Sequence, residues 1–496
     1  MSVSPWEVHL PSGMGIADLD LTRRGSLPAA WAATWTQRPQ HVVVLPAVGA
    51  PLTAGQLEES SARVAGRLIG AGLQVGDRVL FSAQASIDLI VAHVAALRAG
   101  LVAVPANTGY RQREIAHLVA DARPRAAVVD SAERAGWIRS AGAGQVLVVG
   151  PDVDLPDGTP GTLDTAAGND PALIIYTSGT TGTPKGARLS HANLLAGSES
   201  VRLAWRWTEA DRLVLALPLF HAHGLCVGLH GTLLAGASIA LLPDFDVDAV
   251  LDAASEHEAT LFFGVPTMYH RLCRSPRAGE LARLRLCVSG SAPLPAELHE
   301  RLASASGQQV LERYGMTETL MCVSNPYEGE RRPGSVGLAL PGVEVDIHED
   351  EIRLKGPNVF RGYWRNDHAS AAAFRDGWFM TGDLGAFDDD GYLRILGRSK
   401  ELIISGGYNV YPREIEEVLL GHPAVSEVAV VGSPSDEWGE TVTAYVVSIG
   451  EVVSADELMA FAAVQLAAYK RPRIMRFVDA LPRNAMGKVV KQELTS

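Results

Sequence analysis

The chain of 496 residues has few cysteines, no excess of positive charge and no long uninterrupted apolar run. The four cysteines lie far apart without a C-x-x-C pair, so neither a zinc site nor a disulfide framework is indicated. A formal net charge of −13 argues against binding to nucleic acid or to an anionic membrane. The N-terminus lacks the charged and apolar regions of a signal peptide, and no stretch has the length of a membrane span. We therefore expect a cytoplasmic protein.

The length and the hydrophobic periodicity predict more than one domain with an α/β fold. The chain is too long for one hydrophobic core. Apolar runs at 78–81 and 100–105 predict strands on either side of an apolar helix at 87–98, and this order predicts a mostly parallel sheet. From about residue 342, polar and apolar residues alternate as in half-exposed antiparallel strands.

We therefore predict two domains. Residues 1–397 would form a large N-terminal domain of αβ-layered sheets with a smaller β subdomain. Residues 398–496 would form a small, mobile α+β C-terminal domain. The first fifty residues have no clear assignment.

A stretch rich in glycine and hydroxyl residues, from Thr177 to Lys185, follows the buried apolar run 172–175. Glycines allow several backbone N–H groups to face one concavity, which suits a phosphate, while hydroxyls and a lysine add donors and charge. The Walker pattern fails, because Pro184 precedes Lys185 and Gly186 follows it. The stretch therefore predicts a nucleotide site of another kind.

Four further motifs follow in order: residues 314–318 (YGMTE), 381–383 (TGD), 397–403 (GRSKELI) and 482–488 (PRNAMGK). Taken alone, each is more readily explained by a structural feature, such as a capping aspartate, a surface arginine or a solvated lysine. Their joint order resembles the acyl-adenylate-forming superfamily of acyl-CoA ligases, peptide-synthetase adenylation domains and firefly-type luciferases. The resemblance covers nearly the whole chain, from about Leu52 to Lys488.

The resemblance implies an enzyme that uses ATP and Mg²⁺ to make an acyl-AMP. In it Tyr314 would stack on adenine, Thr317 would donate to the α-phosphate and Glu318 would ligate Mg²⁺. Lys488 would stabilise the charge that develops as pyrophosphate leaves, so Lys488, Thr317 and Glu318 are the catalytic candidates. The complete set assigned to ATP is Thr177, Ser178, Gly179, Thr180, Thr181, Gly182, Thr183, Lys185, Ser289, Gly290, Ser291, Glu312, Arg313, Tyr314, Gly315, Met316, Thr317, Asp383, Arg398 and Lys488, with Asp383 and Arg398 on the ribose.

The resemblance also implies a second step, in which a thiol attacks the acyl carbon after the C-terminal domain has rotated about a hinge at Lys400. Gly406, Gly407 and Tyr408 would then face the pantetheine arm of coenzyme A. Since only eight residues follow Lys488, we expect a free thiol such as coenzyme A, while a separate carrier protein stays open as the acceptor.

The acid pocket is predicted to contain His221, Ala222, Arg285, Ser289 and Met316. Arg285 has two readings of equal weight: it pairs with a second carboxylate of the substrate, or it is a structural arginine. The segments 218–225, 288–294 and 312–319 look most like malonyl-CoA synthetases within the superfamily. The small side chain of Ala222 would leave room for a methyl group on C2, which predicts methylmalonate as a second substrate.

The alternatives are a CoA ligase for another short-chain or aryl acid, a stand-alone adenylation enzyme that loads a carrier protein, and an adenylate-binding protein without catalysis. We expect small-molecule substrates, no nucleic-acid or membrane partner, and a monomer or weak homodimer.

Overall fold

The computed structural model describes residues 4–177, 184–405, 408–435, 438–450, 453–483 and 488–494. The chain forms two compact units. The first contains Met1–Leu294, Leu298–Val345 and Leu354–Phe379, and the second contains Pro295–Glu297, Asp346–Arg353 and Met380–Ser496. The main change of unit thus falls at Met380, earlier than the boundary predicted at 397/398. The hinge at Lys400 concerns motion and stays a prediction.

The strands, in chain order, are β1 Val42–Pro46, β2 Leu52–Thr53, β3 Arg78–Ser82, β4 Val102–Pro105, β5 Ala126–Val129, β6 Leu147–Val149, β7 Pro171–Thr177, β8 Lys185–Ser190, β9 Arg212–Leu215, β10 Ser238–Leu241, β11 Leu261–Gly264, β12 Leu286–Ser289, β13 Leu311–Met316, β14 Leu320–Ser324, β15 Leu338–Ala339, β16 Glu344–His348, β17 Glu351–Lys355, β18 Phe374–Arg375, β19 Trp378–Phe387, β20 Leu393–Arg398, β21 Ile403–Ser405, β22 Tyr408–Val410, β23 Val425–Ser435, β24 Gly439–Ser448 and β25 Ile474–Phe477.

The α-helices are α1 Leu27–Gln37, α2 Ala54–Gly70, α3 Ile87–Arg98, α4 Gln112–Ala122, α5 Ala132–Ala141, α6 His191–Ala204, α7 His230–Ala235, α8 Val247–Glu256, α9 Pro266–Cys273, α10 Ala296–Ser306, α11 Asp367–Ala372, α12 Pro412–Leu420 and α13 Ala455–Gln465. A π-helical segment, His223–Leu229, runs directly into α7. None of the helices in the described part of the chain has both the length and the hydropathy that a bilayer span requires.

The first unit contains two largely parallel sheets, as the alternation of strands and helices predicted. In the described residues one sheet has the order β15-β14-β13-β12-β11-β9-β10-β1-β2 and the other β6-β5-β3-β4-β7-β8. Helix α3 lies where the sequence placed it, and it begins at Ser86, whose hydroxyl accepts a hydrogen bond from the Leu89 N–H. Buried aliphatic residues of the strands and of the flanking helices form the core of each sheet.

The carboxyl ends of β9, β11, β12 and β13 point the same way, because these strands pair in parallel. In an open α/β sheet this edge is where ligands bind. Ser289 at the end of β12 lies opposite Glu312 on β13, so the segments around 289–291 and 312–316 are brought side by side. The sheet therefore places two separate sequence motifs at one edge.

The second unit contains an antiparallel sheet with the order β22-β21-β24-β23, and β25 is paired with β24. Its core includes Ile403, Ile415 of α12, Val430 and Leu458 of α13. The sheet and helices agree with the predicted α+β unit.

Candidate active site

The predicted phosphate loop connects two antiparallel strands, β7 and β8. Thr177, the last residue of β7, lies opposite Lys185, the first residue of β8. The pairing holds the two ends of the loop side by side at the sheet edge. Ser178, Gly179, Thr180, Thr181, Gly182 and Thr183, which were predicted to hold phosphates, lie outside the described residues.

Tyr363 connects the end of this loop to Glu318. The Lys185 Nζ atom lies 5.5 Å from the centroid of the Tyr363 ring, and the Tyr363 hydroxyl donates to Glu318 Oε1 at 3.1 Å. The Phe360 N–H donates to the Glu318 carbonyl at 2.8 Å, which holds the same turn from the backbone side. Burial and the Glu318 charge raise the pKa of Tyr363, so its hydroxyl stays a donor. The role of Tyr363 in orienting Glu318 was not predicted from the sequence.

Glu318 is a chemically reasonable ligand for Mg²⁺. Glu318 is 5% exposed, and its Oε1 atom accepts a hydrogen bond from Tyr363, whose ring lies next to the Lys185 Nζ atom. No group of three or more His, Cys, Asp or Glu side chains that could hold a metal occurs among the described residues. Mg²⁺ in nucleotide sites uses one or two carboxylates and takes its other ligands from phosphates and water, so a single glutamate fits it.

The hairpin β13–β14 presents Tyr314, Met316 and Thr317, all of them half-buried. A Cβ atom at Gly315 would lie 1.9 Å from the Leu320 carbonyl oxygen, so the hairpin closes only with glycine there. Tyr314 lies opposite Val323 in this pair. The structure therefore brings the predicted adenine and α-phosphate residues together on one hairpin.

Arg313 on β13 is a buried arginine with unsatisfied donors. It is 3% exposed, and its Nε and Nη2 atoms have no hydrogen-bond partner in the described structure. Desolvation lowers the pKa of Arg313 to about 10, which still leaves the guanidinium charged at neutral pH. A Cβ atom at Gly290 would lie 2.2 Å from Arg313 Cζ, so the guanidinium packs directly on the Gly290 backbone. A buried, unpaired cation is costly, and an anionic ligand would offset that cost.

His223 completes the surroundings of this guanidinium. Its Nδ1 atom lies 3.4 Å from the Ser291 hydroxyl, and its ring stacks near Phe263 at a centroid distance of 6.4 Å. Burial, together with the charge of Arg313, lowers the pKa of His223 well below its usual value, so the imidazole is neutral. The sequence reading singled out His221 in this segment and missed His223.

His221 and Ala222 lie half-buried just before the π-helical segment. The His221 carbonyl accepts the Leu225 N–H at 2.8 Å, and the His221 ring lies 4.5 Å from that of Phe220. The segment His223–Leu229 that follows is wound as a π-helix and leads into α7. The wider turn is attached to the loop that carries both predicted pocket residues.

Arg285 does not serve the predicted acid pocket, and this prediction is corrected. Its Nε and Nη2 atoms donate to Asp211 at 2.6 and 2.7 Å, and Nη1 donates to the Trp205 carbonyl at 3.0 Å. Arg285 precedes β12 and Ser289 ends it, so the two residues lie at opposite ends of the strand. At 3.3 Å per residue they are about 13 Å apart. Of the two readings left open by the sequence, the structural one holds.

The second unit carries the remaining predicted residues. Asp383 on β19 lies opposite Arg398 on β20, and Arg398 Nε lies 2.7 Å from Asp383 Oδ1, so the predicted ribose pair is assembled. Lys400 lies in the short 3-10 turn Ser399–Glu401, and Lys488 and Tyr408 are exposed. Gly406 and Gly407 lie outside the described residues.

The fold and these residues define an adenylate-forming ligase. Residues 31–364 match the family of AMP-binding enzymes, and residues 414–488 match the C-terminal domain of that family. The chain belongs to the AMP-binding enzymes of the acyl-adenylate-forming superfamily, and within it to the acid–thiol ligases that act as acyl-CoA synthetases.

Relatives across this family cover nearly the whole chain. A feruloyl-CoA synthase from an Amycolatopsis species is 36% identical, covering 94% of this chain and 98% of the relative. A malonate–CoA ligase from Arabidopsis thaliana is 33% identical, covering 95% and 89%. Among solved structures, ATP-bound MatB from Rhodopseudomonas palustris is 42% identical with a TM-score of 0.88, covering 95% and 98%.

Proposed function

We propose that this acyl-CoA synthetase activates malonate, and methylmalonate as a second substrate. The observation that carries the proposal is the buried guanidinium of Arg313, whose Nε and Nη2 atoms have no partner in the described structure. A second carboxylate on the acid provides the missing anion in a charge-assisted pair. A fatty or aryl acid would leave the buried charge unpaired. The similarity to a malonate–CoA ligase and to MatB supports the same choice.

In the first proposed step, a carboxylate oxygen of the acid attacks the α-phosphorus of ATP. The new phosphorus–oxygen bond forms while the bond to the β-phosphate oxygen breaks, and pyrophosphate leaves. Thr317, next to Glu318 on the hairpin, donates to the α-phosphate, and Lys488 stabilises the developing negative charge. Mg²⁺, held by Glu318, neutralises phosphate charge when bound. Asp383, fixed by Arg398, holds the ribose.

In the second proposed step, the sulfur of coenzyme A attacks the acyl carbon, the carbon–sulfur bond forms, and AMP leaves with the electrons of the carbon–oxygen bond. The thiol proton is released. Lys488 acts next to the acyl carbon that the thiol must reach, so the lysine and the thiol cannot occupy the site at the same time. Rotation about the proposed hinge at Lys400 would withdraw Lys488 and admit the thiol. Tyr408, which follows glycines 406–407 in the sequence, is exposed with its ring stacked on that of Tyr469, and it would contact the pantetheine arm.

A second candidate is a ligase for an aryl acid. It is favoured by an apolar cavity lined by Phe81, Leu89, Ile90, Leu219 and Phe220, the last of which contacts His221. The similarity to a feruloyl-CoA synthase supports the same aryl-acid candidate. An aryl monocarboxylic acid has no second carboxylate and would give Arg313 no anionic partner.

Acid-dependent ATP–pyrophosphate exchange distinguishes the two candidates. We expect exchange with malonate and methylmalonate, and CoA thioester formation from both. Malonamate, in which a neutral amide replaces the second carboxylate, is expected to react at least about 100-fold more slowly, because it leaves the Arg313 charge unpaired. Butyrate and ferulate serve as the monocarboxylate comparisons. Exchange with ferulate or butyrate and none with malonate would refute the proposal.

Ala222→Thr is expected to reduce kcat/KM for methylmalonate relative to malonate by about 10- to 100-fold, the usual discrimination for one methyl group in a tight pocket. Ala222 is half-buried at the start of the π-helical segment, so added side-chain volume there narrows the space for a C2 substituent. Ala235→Thr, at another half-buried alanine at the end of α7, is the matched control. An unchanged ratio in Ala222→Thr would exclude Ala222 from the acid pocket.

A further inference from the structure

A second lysine of the C-terminal segment, Lys491, follows Lys488 by three residues and begins the short 3-10 turn Lys491–Leu494. Its Nζ atom lies 3.0 Å from Glu401 Oε2 and 2.8 Å from Glu416 Oε1. Burial alone would lower the pKa of Lys491, but the two carboxylates outweigh it and raise the pKa. The ammonium is therefore charged at neutral pH and bridges two carboxylates.

The two carboxylates belong to different elements. Glu401 ends the turn Ser399–Glu401, which contains the proposed hinge residue Lys400. Glu416 lies on α12, and its Oε1 atom also accepts the Val430 N–H of β23 at 2.8 Å. Lys491 thus connects the segment that carries Lys488 both to the hinge turn and to the core sheet of the second unit.

Backbone contacts hold the same segment at its base. Arg483 and Val489 form an antiparallel bridge, and the Val490 N–H donates to the Pro482 carbonyl at 2.8 Å. These contacts lie on either side of residues 484–487, and the Lys488 side chain is exposed. The Lys491–Glu401 ion pair relates the segment that follows Lys488 to the hinge turn.

We propose that Lys491 is a positioning residue for the adenylation step, and that its pairing with Glu401 fixes Lys488 relative to the hinge. The inference rests on the proposed two-step function. Without the Lys491 ammonium, Glu401 and Glu416 repel each other, and the ion pair between the Lys491 segment and the hinge turn is lost. A catalytic group displaced by about 1 Å can lose about 100-fold in rate. The thioester step, which does not use Lys488, is spared.

The test compares the two half-reactions in Lys491→Met. Adenylation at saturating ATP and acid is expected to fall about 10- to 100-fold in kcat, without a change in either KM. Thioester formation from supplied acyl-AMP and CoA is expected to stay at the wild-type rate, and Lys491→Arg is expected to restore most of the adenylation rate. Lys470→Met is the matched control, because Lys470 pairs with Glu414 on the same helix α12 at 2.7 Å and is similarly exposed, 22% against 20% for Lys491.

Glu401→Gln separates positioning from folding. It removes the connection to the hinge turn but leaves Lys491 paired with Glu416, so it is expected to reproduce most of the adenylation defect with an unchanged Tm. Equal losses in both half-reactions, or an unchanged ratio between them, would overturn the proposal. The assay uses any acid that supports exchange in the wild type, so failure of malonate as a substrate would refute the proposed function without affecting this comparison.

Discussion

Arg313→Met is expected to abolish most malonate activation while making the unliganded protein more stable. Loss of the guanidinium leaves the second carboxylate of malonate buried without a partner, which costs about 3–5 kcal/mol, or roughly 150- to 5,000-fold in kcat/KM. The sequence placed Arg313 in the ATP set, whereas the proposal places it on the acid, so the KM for ATP is expected to stay unchanged in this variant. In the free protein, methionine replaces a fully buried charge that has unsatisfied donors, so the Tm rises. ATP–pyrophosphate exchange and thermal unfolding measure the two effects.

Arg285→Met is the matched control, in which we expect lower stability and an unchanged substrate preference. It leaves Asp211, whose side chain is 4% exposed, without its bidentate partner, so we expect a lower Tm. The preference for malonate over malonamate is expected to stay that of the wild type. A preference that collapsed in Arg285→Met and survived in Arg313→Met would reverse our assignment of the two arginines.

Lys488→Ala is expected to separate the two half-reactions. Removing a donor that acts on charge developing in the transition state costs about 100- to 1,000-fold, so adenylation should fall by that factor. Thioester formation from supplied malonyl-AMP should continue at the wild-type rate. The side chain is exposed, so the free energy of unfolding should not change. Rapid-quench measurement of each half-reaction provides the comparison.

Lys488→Arg adds a second comparison, since it retains the charge but changes the shape of the donor group. It is expected to recover only part of the adenylation rate. If Lys488→Ala slowed both half-reactions equally, Lys488 would be needed for the structure of the second unit rather than for adenylation alone. The proposed domain rotation about Lys400 would then lose its main support.

Local sequence patterns were sufficient to predict these secondary-structure elements and the protein family. The apolar helix 87–98 and the strands on either side of it have the predicted positions, because their burial follows directly from runs of apolar residues. The order of the five motifs was sufficient for the family, which the matches at 31–364 and 414–488 confirm. Tyr314, Met316 and Thr317 lie on one hairpin, and Asp383 lies opposite Arg398 on neighbouring strands, while their binding to ATP stays a prediction.

The choice between arginines was not available from the sequence. The sequence assigned Arg285 to the acid pocket and Arg313 to ATP, and both arginines lie next to or within buried strands. Asp211, which pairs with Arg285, is 74 residues away, and only the sheet brings it into contact. Tyr363 reaches Glu318 across 45 residues in the same way.

The sequence by itself therefore determined the fold class, the superfamily and the chemistry of adenylation, because these depend on short patterns whose meaning is local. Only the tertiary structure decided that Arg285 is paired with Asp211, that two donors of Arg313 lack a hydrogen-bond partner in the described residues, and that Lys491 is paired with Glu401 and Glu416. Pairing and desolvation depend on neighbours that are distant along the chain, and these neighbours determine whether a buried charge is structural or available to a ligand.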